Sequence, residues 1–357
     1  MVYKVVGISF DHMHMGDLLR MVDAHPNAEI TALYDPDTAK MASAAETFGV
    51  PDTALFTDFD ACMAAGPYDL AILCCATADH AEMTERLAPH GVHIHVEKPF
   101  ADSADNARRM IKAMAGTDKI MSINWPLAWV ESHLTAKRLI DEGMIGELRE
   151  VHFYDGNRGP LYHLADKVEV SAAEVEAQKP DSWWYKAASG GGSLLDYMGY
   201  GATLGTWYMG GEAPLEVTCT VDDTLGIEVD QHAIAVIRYA KGLSKMETRW
   251  GTFTDPWTVN PQPTCGFVFV GSEGTISSPD YAPAVTVQTR ARPEKHDIPV
   301  DPLPEKRSDA IAYIIDLIDK GAKPDGPFDP ALCLTAQRIV DTAAASAAQK
   351  RTLELLP

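Results

Sequence analysis

"VYKVVGISFDHMHMGDLLRMVDA", residues 2–24, decides the fold, because it reads as a strand, a tight turn and a helix in immediate succession. The apolar run from Tyr3 to Ile8 predicts a buried strand, and Gly16 to Ala24 has the apolar period of a helix. A loop in this place can hold the pyrophosphate of a dinucleotide, with glycine where the backbone turns and where it nears phosphate. Only Gly7 and Gly16 are glycines here; Ser9 takes the second glycine position, and His12 and His14 stand where small residues are expected. Read alone, the loop is either a nucleotide cradle or a plain turn whose histidines cap the helix.

The pattern continues outward. Strands are expected at Glu29 to Tyr34, Leu55 to Phe56, Leu70 to Cys75 and His93 to Val96, with helices at Thr38 to Phe48, Phe59 to Ala65 and His80 to Pro89. Short apolar strands separated by amphipathic helices mean an α/β doubly wound parallel sheet, whose ligand lies beyond the carboxyl ends of the strands. Those ends carry Ser9 to Gly16, Asp35 to Asp37, Ala76 to His80 and Glu97 to Pro99. Asp35, in "LYDPD", can accept both ribose hydroxyls of adenosine and would repel a 2'-phosphate, which favours NAD over NADP. Farther on, Leu215 to Val221, His232 to Tyr239, Ser244 to Trp250 and Gly266 to Val270 read as strands without intervening helices, followed by helices at Ser308 to Lys320 and Asp329 to Gln349.

The totals exclude several classes. The 357 residues, 46% hydrophobic and 23% charged, are enough for two globular domains. With 51 acidic against 30 basic residues the formal charge is -21, which argues against nucleic acid or an anionic membrane as a partner. No apolar run approaches the ~18 residues of a membrane span, and no charged leader with an apolar core opens the chain, so a cytoplasmic location is expected. The six cysteines are scattered and are expected to be free thiols. Asp11, His12 and His14 lack convincing zinc spacing, and no metal is expected.

"HIHVEKPFADS" at residues 93–103 carries more specific information. Together with "DLAILCCATADHAEM" (69–83), "LTAKRLIDEGMIGELREV" (134–151), "GGGSLLDYMGY" (190–200) and "VFVGSEGTIS" (268–277), in that order, it resembles the Gfo/Idh/MocA family of nicotinamide-dependent sugar and polyol dehydrogenases. The resemblance implies an NAD-binding Rossmann domain over residues 1–123. It also implies a substrate-binding α/β domain over 124–357, with a large, mostly antiparallel open sheet whose free face serves a homodimer or homotetramer. It makes residues 7–16 the pyrophosphate loop and implies cofactor contacts from Gly7, Ser9, Phe10, His12, Asp35, Ala76, Thr77, His80, Glu97 and Lys98. Lys98, Asp196 and Tyr200 become the catalytic candidates. Asp196 and Tyr200 share a helix face by their spacing of four. The family commonly has histidine at the position of Tyr200, and a phenol with a pKa of about 10 is a poor base unless a cation such as Lys98 stabilises its phenolate.

His14, Trp125, Arg158, His163, Trp184 and Lys186 are the candidate substrate contacts; Arg158, His163, Trp184 and Lys186 lie in a region that walls the sugar pocket in the family, and Trp125 is a further wall candidate. With Lys179, the cations among them point to an anionic or strongly hydrogen-bonding sugar. Three functions are carried forward. The first is NAD-dependent oxidation of a secondary hydroxyl of a sugar, polyol or glycoside. The second is an NAD-dependent glycosidase working by transient oxidation, elimination and hydration, as on a sulfoquinovoside. The third is a sugar or nucleotide sensor without turnover.

Overall fold

The computed structural model describes residues 2–162, 170–222, 224 and 226–357. The first third runs β1 (Tyr3–Ile8), α1 (His14–Ala24), β2 (Ala28–Tyr34), α2 (Thr38–Phe48), β3 (Leu55–Phe56), α3 (Phe59–Ala64), β4 (Leu70–Leu73), α4 (His80–Leu87), β5 (His93–Glu97), α5 (Ala104–Ala115) and β6 (Met121–Asn124). The six strands pair in parallel in the order β3-β2-β1-β4-β5-β6. All four residues of β4 are buried, as a strand covered by helices on both faces requires. The order reverses between β1 and β4, which opens a crevice at the carboxyl ends of those strands.

Local chemistry sets the element ends. Asp37 accepts the Ala39 amide at 2.9 Å and starts α2, and Gly49, at φ 66°, ends it. Helix α1 begins at His14, ahead of the expected Gly16, because the His12 ring supplies an acceptor for the His14 amide, Nδ1 to N at 3.1 Å. One of the two unexpected histidines therefore holds the first amide of the helix.

The remainder contains α6 (Glu131–Asp141), β7 (Leu148–Asn157), α7 (Ala172–Gln178), α8 (Ser193–Tyr208), β8 (Glu216–Val221), β9 (His232–Tyr239), β10 (Gly242–Trp250), β11 (Gly266–Gly271), β12 (Gly274–Pro279), β13 (Ala284–Thr289), β14 (His296–Pro299), α9 (Ala310–Lys320), α10 (Pro330–Gln349) and β15 (Leu353–Glu354). The second sheet has nine strands, β14-β13-β12-β11-β7-β10-β9-β8-β15. Only β7 and β10 pair in parallel; the other pairs are antiparallel. Along β10, Ser244, Met246, Thr248 and Trp250 are buried while Leu243, Lys245 and Arg249 are exposed, the period-two pattern of a sheet covered on one face.

Helix α8 covers that face. It approaches closely because Gly201 lies where a Cβ would come within 2.5 Å of the Phe153 ring. The chain then returns to the first sheet: Ala310, Ile311, Ile314 and Ile315 of α9 join a core with Val5, Leu70 and Ile72, and α10 packs against α5 and α8. All six cysteines are buried and free. Among the described residues, no helix is long and apolar enough to cross a membrane.

Candidate functional site

The crevice is built first from backbone. Ser9 follows β1 at φ 63°, a left-handed conformation unusual for a residue with a side chain, and its amide bonds to the Tyr34 carbonyl at 2.8 Å. Asp35 follows β2, and its carboxylate accepts the Phe10 and Asp37 amides, each at 2.8 Å. A carboxylate so held keeps further lone pairs for ribose hydroxyls. A groove of about 170 Å³ runs beside Ser9, Asp11, Asp35 and Lys40. Asp11 accepts the Ala76 amide at 3.2 Å and pairs with Lys40 at 2.5 Å, so one acidic side chain ties the first loop both to the loop after β4 and to α2. Reading the sequence gave Lys40 no role and considered Asp11 only as a metal ligand; their partnership depends on elements folding side by side.

The second part lies at the end of β5. A cavity of about 50 Å³ is lined by His12, His14, Lys98, Asp155, Trp184, Asp196, Tyr197 and Tyr200, among others. The Lys98 ammonium pairs with Asp196 Oδ1, and the Trp250 indole donates to Asp196 Oδ2 at 3.0 Å. Lys98 Nζ also lies 5.6 Å from the Trp184 ring and 5.5 Å from each of the Tyr197 and Tyr200 rings. Burial pushes the Tyr200 phenol well above its ordinary range, and the charges of Glu97 and Asp196 add to that. Lys98 Nζ lies over the ring, so neither burial nor the position of this cation favours the phenolate that base work by Tyr200 would require.

Glu97 is fully buried behind this cavity. His14 Nδ1 meets its Oε1 at 2.8 Å and Asn124 donates to its Oε2 at 2.7 Å. Burial would raise its pKa, but the His14 ring, Lys98 and Asn124 outweigh that and keep it below the usual carboxylate range. Its side chain is thus a support for the loop histidines rather than a cofactor contact. His12 Nε2 lies 3.9 Å from the same Oε1, and His12, His14 and Glu97 together have the make-up of a metal site. The donor chemistry opposes it. Because His12 Nδ1 accepts an amide proton, a neutral ring carries its own proton on Nε2, the nitrogen a metal would need.

Several expected contacts fall elsewhere. Trp125 is 1% exposed, packs edge-on against Tyr200, donates to Cys333 Sγ at 3.4 Å and does not line the cavity. Arg158 is paired with Asp255 at 2.8 Å and lies over Tyr162, while Lys186 sits beyond the cavity wall. Lys179 pairs with Glu176. These cations therefore do not supply the anionic pocket that their sequence positions indicated. His163 lies outside the described residues. His80 is buried with its ring nitrogens 3.2 Å from the Phe100 and Cys75 carbonyls, so it holds the turn after β4 rather than facing the crevice. Gly7 is tight against Leu33 and Met15, where a Cβ would come within 3.1 Å and 3.3 Å, so packing rather than phosphate requires it.

Phe10 contributes its amide to Asp35, Ala76 its amide to Asp11, and Thr77 is buried against Gly190. Trp184 does line the cavity and stacks on Trp183, whose indole donates to the Asp11 carbonyl at 3.0 Å. Asp155 was missed. It occupies the next inward position of β7 after Val151 and Phe153, and a polar residue on that apolar alternation was the signal that could have found it.

Comparison with known proteins agrees with both halves. Residues 2–125 match the model of an oxidoreductase family with an NAD-binding Rossmann fold, and residues 133–277 match the GFO/IDH/MocA C-terminal domain. The inositol 2-dehydrogenase of Rhizobium meliloti (strain 1021) is 24% identical over 349 residues, covering 94% of each chain. The 2,7-anhydro-N-acetylneuraminate hydratase of Escherichia coli (strain K12) is 26% identical over 151 residues, 42% of this chain and 38% of that protein. Among solved structures, an aldose-aldose oxidoreductase from Caulobacter crescentus superposes with a TM-score of 0.79 at 18% identity, covering 99% of this chain and 100% of the other.

Proposed function

Since the chain belongs to the Gfo/Idh/MocA family of oxidoreductases, with that family's NAD-binding Rossmann fold, we propose that it oxidises a secondary hydroxyl of a sugar, polyol or glycoside. The observation that carries this reading is the Lys98–Asp196 pair, which faces a cavity at the carboxyl end of β5, between the loop after β1 and helix α8. Bound NAD supplies the hydride acceptor. We assign its adenosine and phosphate portion to the groove bordered by Ser9, Asp35 and Lys40.

The residues divide the work by chemistry. Lys98 Nζ, beside Asp196, can donate to the hydroxyl that is oxidised, stabilising the oxygen as it loses its proton. Asp196, fixed by the Trp250 indole, holds Lys98 in place. Trp184 and Tyr197 offer ring faces for the apolar side of a sugar. On the opposite face of the nine-stranded sheet, Val236 and Leu243 are exposed among charged residues, and a second copy of the chain is the proposed cover.

The test is turnover of a panel of neutral and anionic sugars and nitrophenyl glycosides with NAD, following NADH and nitrophenolate in one sample. NADH accumulation is expected, and Lys98→Met is expected to lower kcat by about 10²-fold or more while leaving NAD affinity within about threefold. Nitrophenolate release without net NADH would instead favour the redox-neutral glycosidase, a reading that draws on the partial similarity to a hydratase.

A further inference from the structure

The proposed oxidation releases a hydroxyl proton, which needs an acceptor among the polar groups of the cavity. Glu97 is occupied by His14 and Asn124, and Asp196 by Lys98 and Trp250. One more carboxyl lines the cavity among the described residues, that of Asp155. It is half of a pair. On β11, Gly266 stands opposite Tyr154 of β7 on one side and Pro279 of β12 on the other. The flanking residues Asp155, Cys265 and Asp280 therefore converge at one end of three adjacent strands, with ligand atoms within 4.8 Å of one another.

Both carboxyls are buried, Asp155 at 1% and Asp280 at 3% exposure. Asp155 Oδ1 accepts the Gly156 amide at 2.6 Å, and Asp280 Oδ1 lies 2.8 Å from His133 Nε2. Asp280 Oδ2 has no hydrogen-bond partner among the described residues. His133 does not neutralise the pair: its Nδ1 faces the Ser278 hydroxyl at 2.8 Å, so a neutral ring is satisfied on both sides, and burial holds its pKa near 3. The groups facing Asp155 from the surrounding elements are Asp280, the Cys265 thiol, Asp196, Tyr197 and Tyr200 of α8, Tyr281, and Lys98, whose charge is already paired with Asp196. Two desolvated carboxylates at this separation cannot both ionise at neutral pH, so the pair retains one proton. Burial first, and the partner's charge next, push Asp155 up.

Resting on the oxidation proposed above, we infer that the Asp155–Asp280 pair is its acid–base group, with Asp155 the catalytic residue that takes the substrate's hydroxyl proton and Asp280 the positioning residue that tunes it. The substrate carbon is oxidised: its hydrogen leaves as hydride, with the bonding electron pair, to the NAD ring, which is reduced. The O–H bond breaks, a second carbon–oxygen bond forms, and the proton moves to the Asp155 carboxylate. The pair passes from one proton to two and returns one to solvent before the next cycle.

Infrared difference spectra of wild type minus Asp280→Asn at neutral pH read the shared proton without turnover. A carboxylic-acid C=O band in the wild type, absent from the variant, is expected, and a wild type without such a band overturns the pair. Kinetics read the role, using whichever panel sugar the wild type oxidises fastest, between about pH 5 and about pH 9. The rate should rise with pH through one ionisation, because the base must be ionised. In the working form Asp280 carries the pair's one proton, so Asp280→Asn removes that shared acid proton rather than a like charge and should move the limb to higher pH by about one unit. Asp155→Asn should lower kcat by about 10²-fold or more. An unmoved limb, or wild-type kcat in Asp155→Asn, overturns the inference. Should Asp155→Asn fail to fold, Asp280→Asn still decides through both readouts. NADH formed equally by wild type and Asp155→Asn sinks the inference alone. No NADH from any sugar sinks the oxidation reading and the role built on it.

Discussion

Asp35 shows how one side chain can both build a site and serve it. Its carboxylate organises the first loop by accepting the Phe10 amide and its own loop by accepting the Asp37 amide. Asp35→Ser removes those charge-assisted hydrogen bonds, typically about 1.5–3 kcal/mol each, along with the charge that repels a 2'-phosphate. We therefore expect the Kd for NAD to rise about tenfold or more and the preference over NADP to shrink, measured by fluorescence titration with both cofactors. An unchanged NAD affinity would place the adenosine elsewhere. At this scale the sequence was most legible where local context constrains a side chain. Lys98 ends a strand before proline, and Asp196 and Tyr200 lie one helical turn apart, and all three line one cavity. Trp125 and Arg158 were misread because their partners, Cys333 and Asp255, lie 208 and 97 residues away and carry no local mark.

Elements repeat this division between local and distant causes. Helix α2 runs from Thr38 to Phe48 as expected because its start and stop are written in neighbours, Asp37 and Gly49. Strand β6 and the early start of α1 were not anticipated. The first is only four residues long and is completed by pairing with β5, and the second depends on a ring nitrogen of His12. Helix α9 offers a measurable case. Asp309 Oδ1 accepts the Ile311 and Ala312 amides, each at 2.9 Å, and the same helix docks its apolar stripe on the first sheet. Asp309→Ala should cost about 1 kcal/mol, up to about 2, in urea unfolding. Asp309 does not line the Lys98–Asp196 cavity, so the sugar profile should stay that of the wild type; a change in substrate preference would show that α9 shapes the site through the neighbouring cavity it shares with His14 and Tyr281.

Across the whole molecule, the period of α9 revealed which face was apolar but not that this face would return some 300 residues to cover the first sheet. That return leaves few ionisable groups in contact with water near the core, which gives the protein a lopsided response to pH. All six thiols are pushed above their ordinary value of 9.0 by burial. Burial likewise raises the phenols of Tyr68, Tyr197, Tyr200, Tyr208 and Tyr313 above 10.0. The unfolded chain releases these protons as pH passes 9 and then 10, while the folded chain keeps them, so stability must fall as pH rises through that window. Each retained proton contributes about 1.4 kcal/mol per pH unit, and these groups act in the same direction.

On the acid side the groups oppose one another. His93 and His95, held near 4, and His133, held near 3, lose stability as pH falls below 6.5, because the unfolded chain protonates first. The raised Asp155–Asp280 pair gains stability over the same range, because the folded chain already holds its proton. Circular dichroism melts under reductant should therefore show a shallow dependence of Tm between about pH 5 and about pH 8, and a steep fall between about pH 9 and about pH 11. The cooperative core of thiols and phenols predicts that the fall coincides with a rise in tyrosinate absorbance. Tyrosinate appearing well before unfolding would mean that these phenols ionise in the native state, and the fall in Tm would then have to be assigned to the thiols alone.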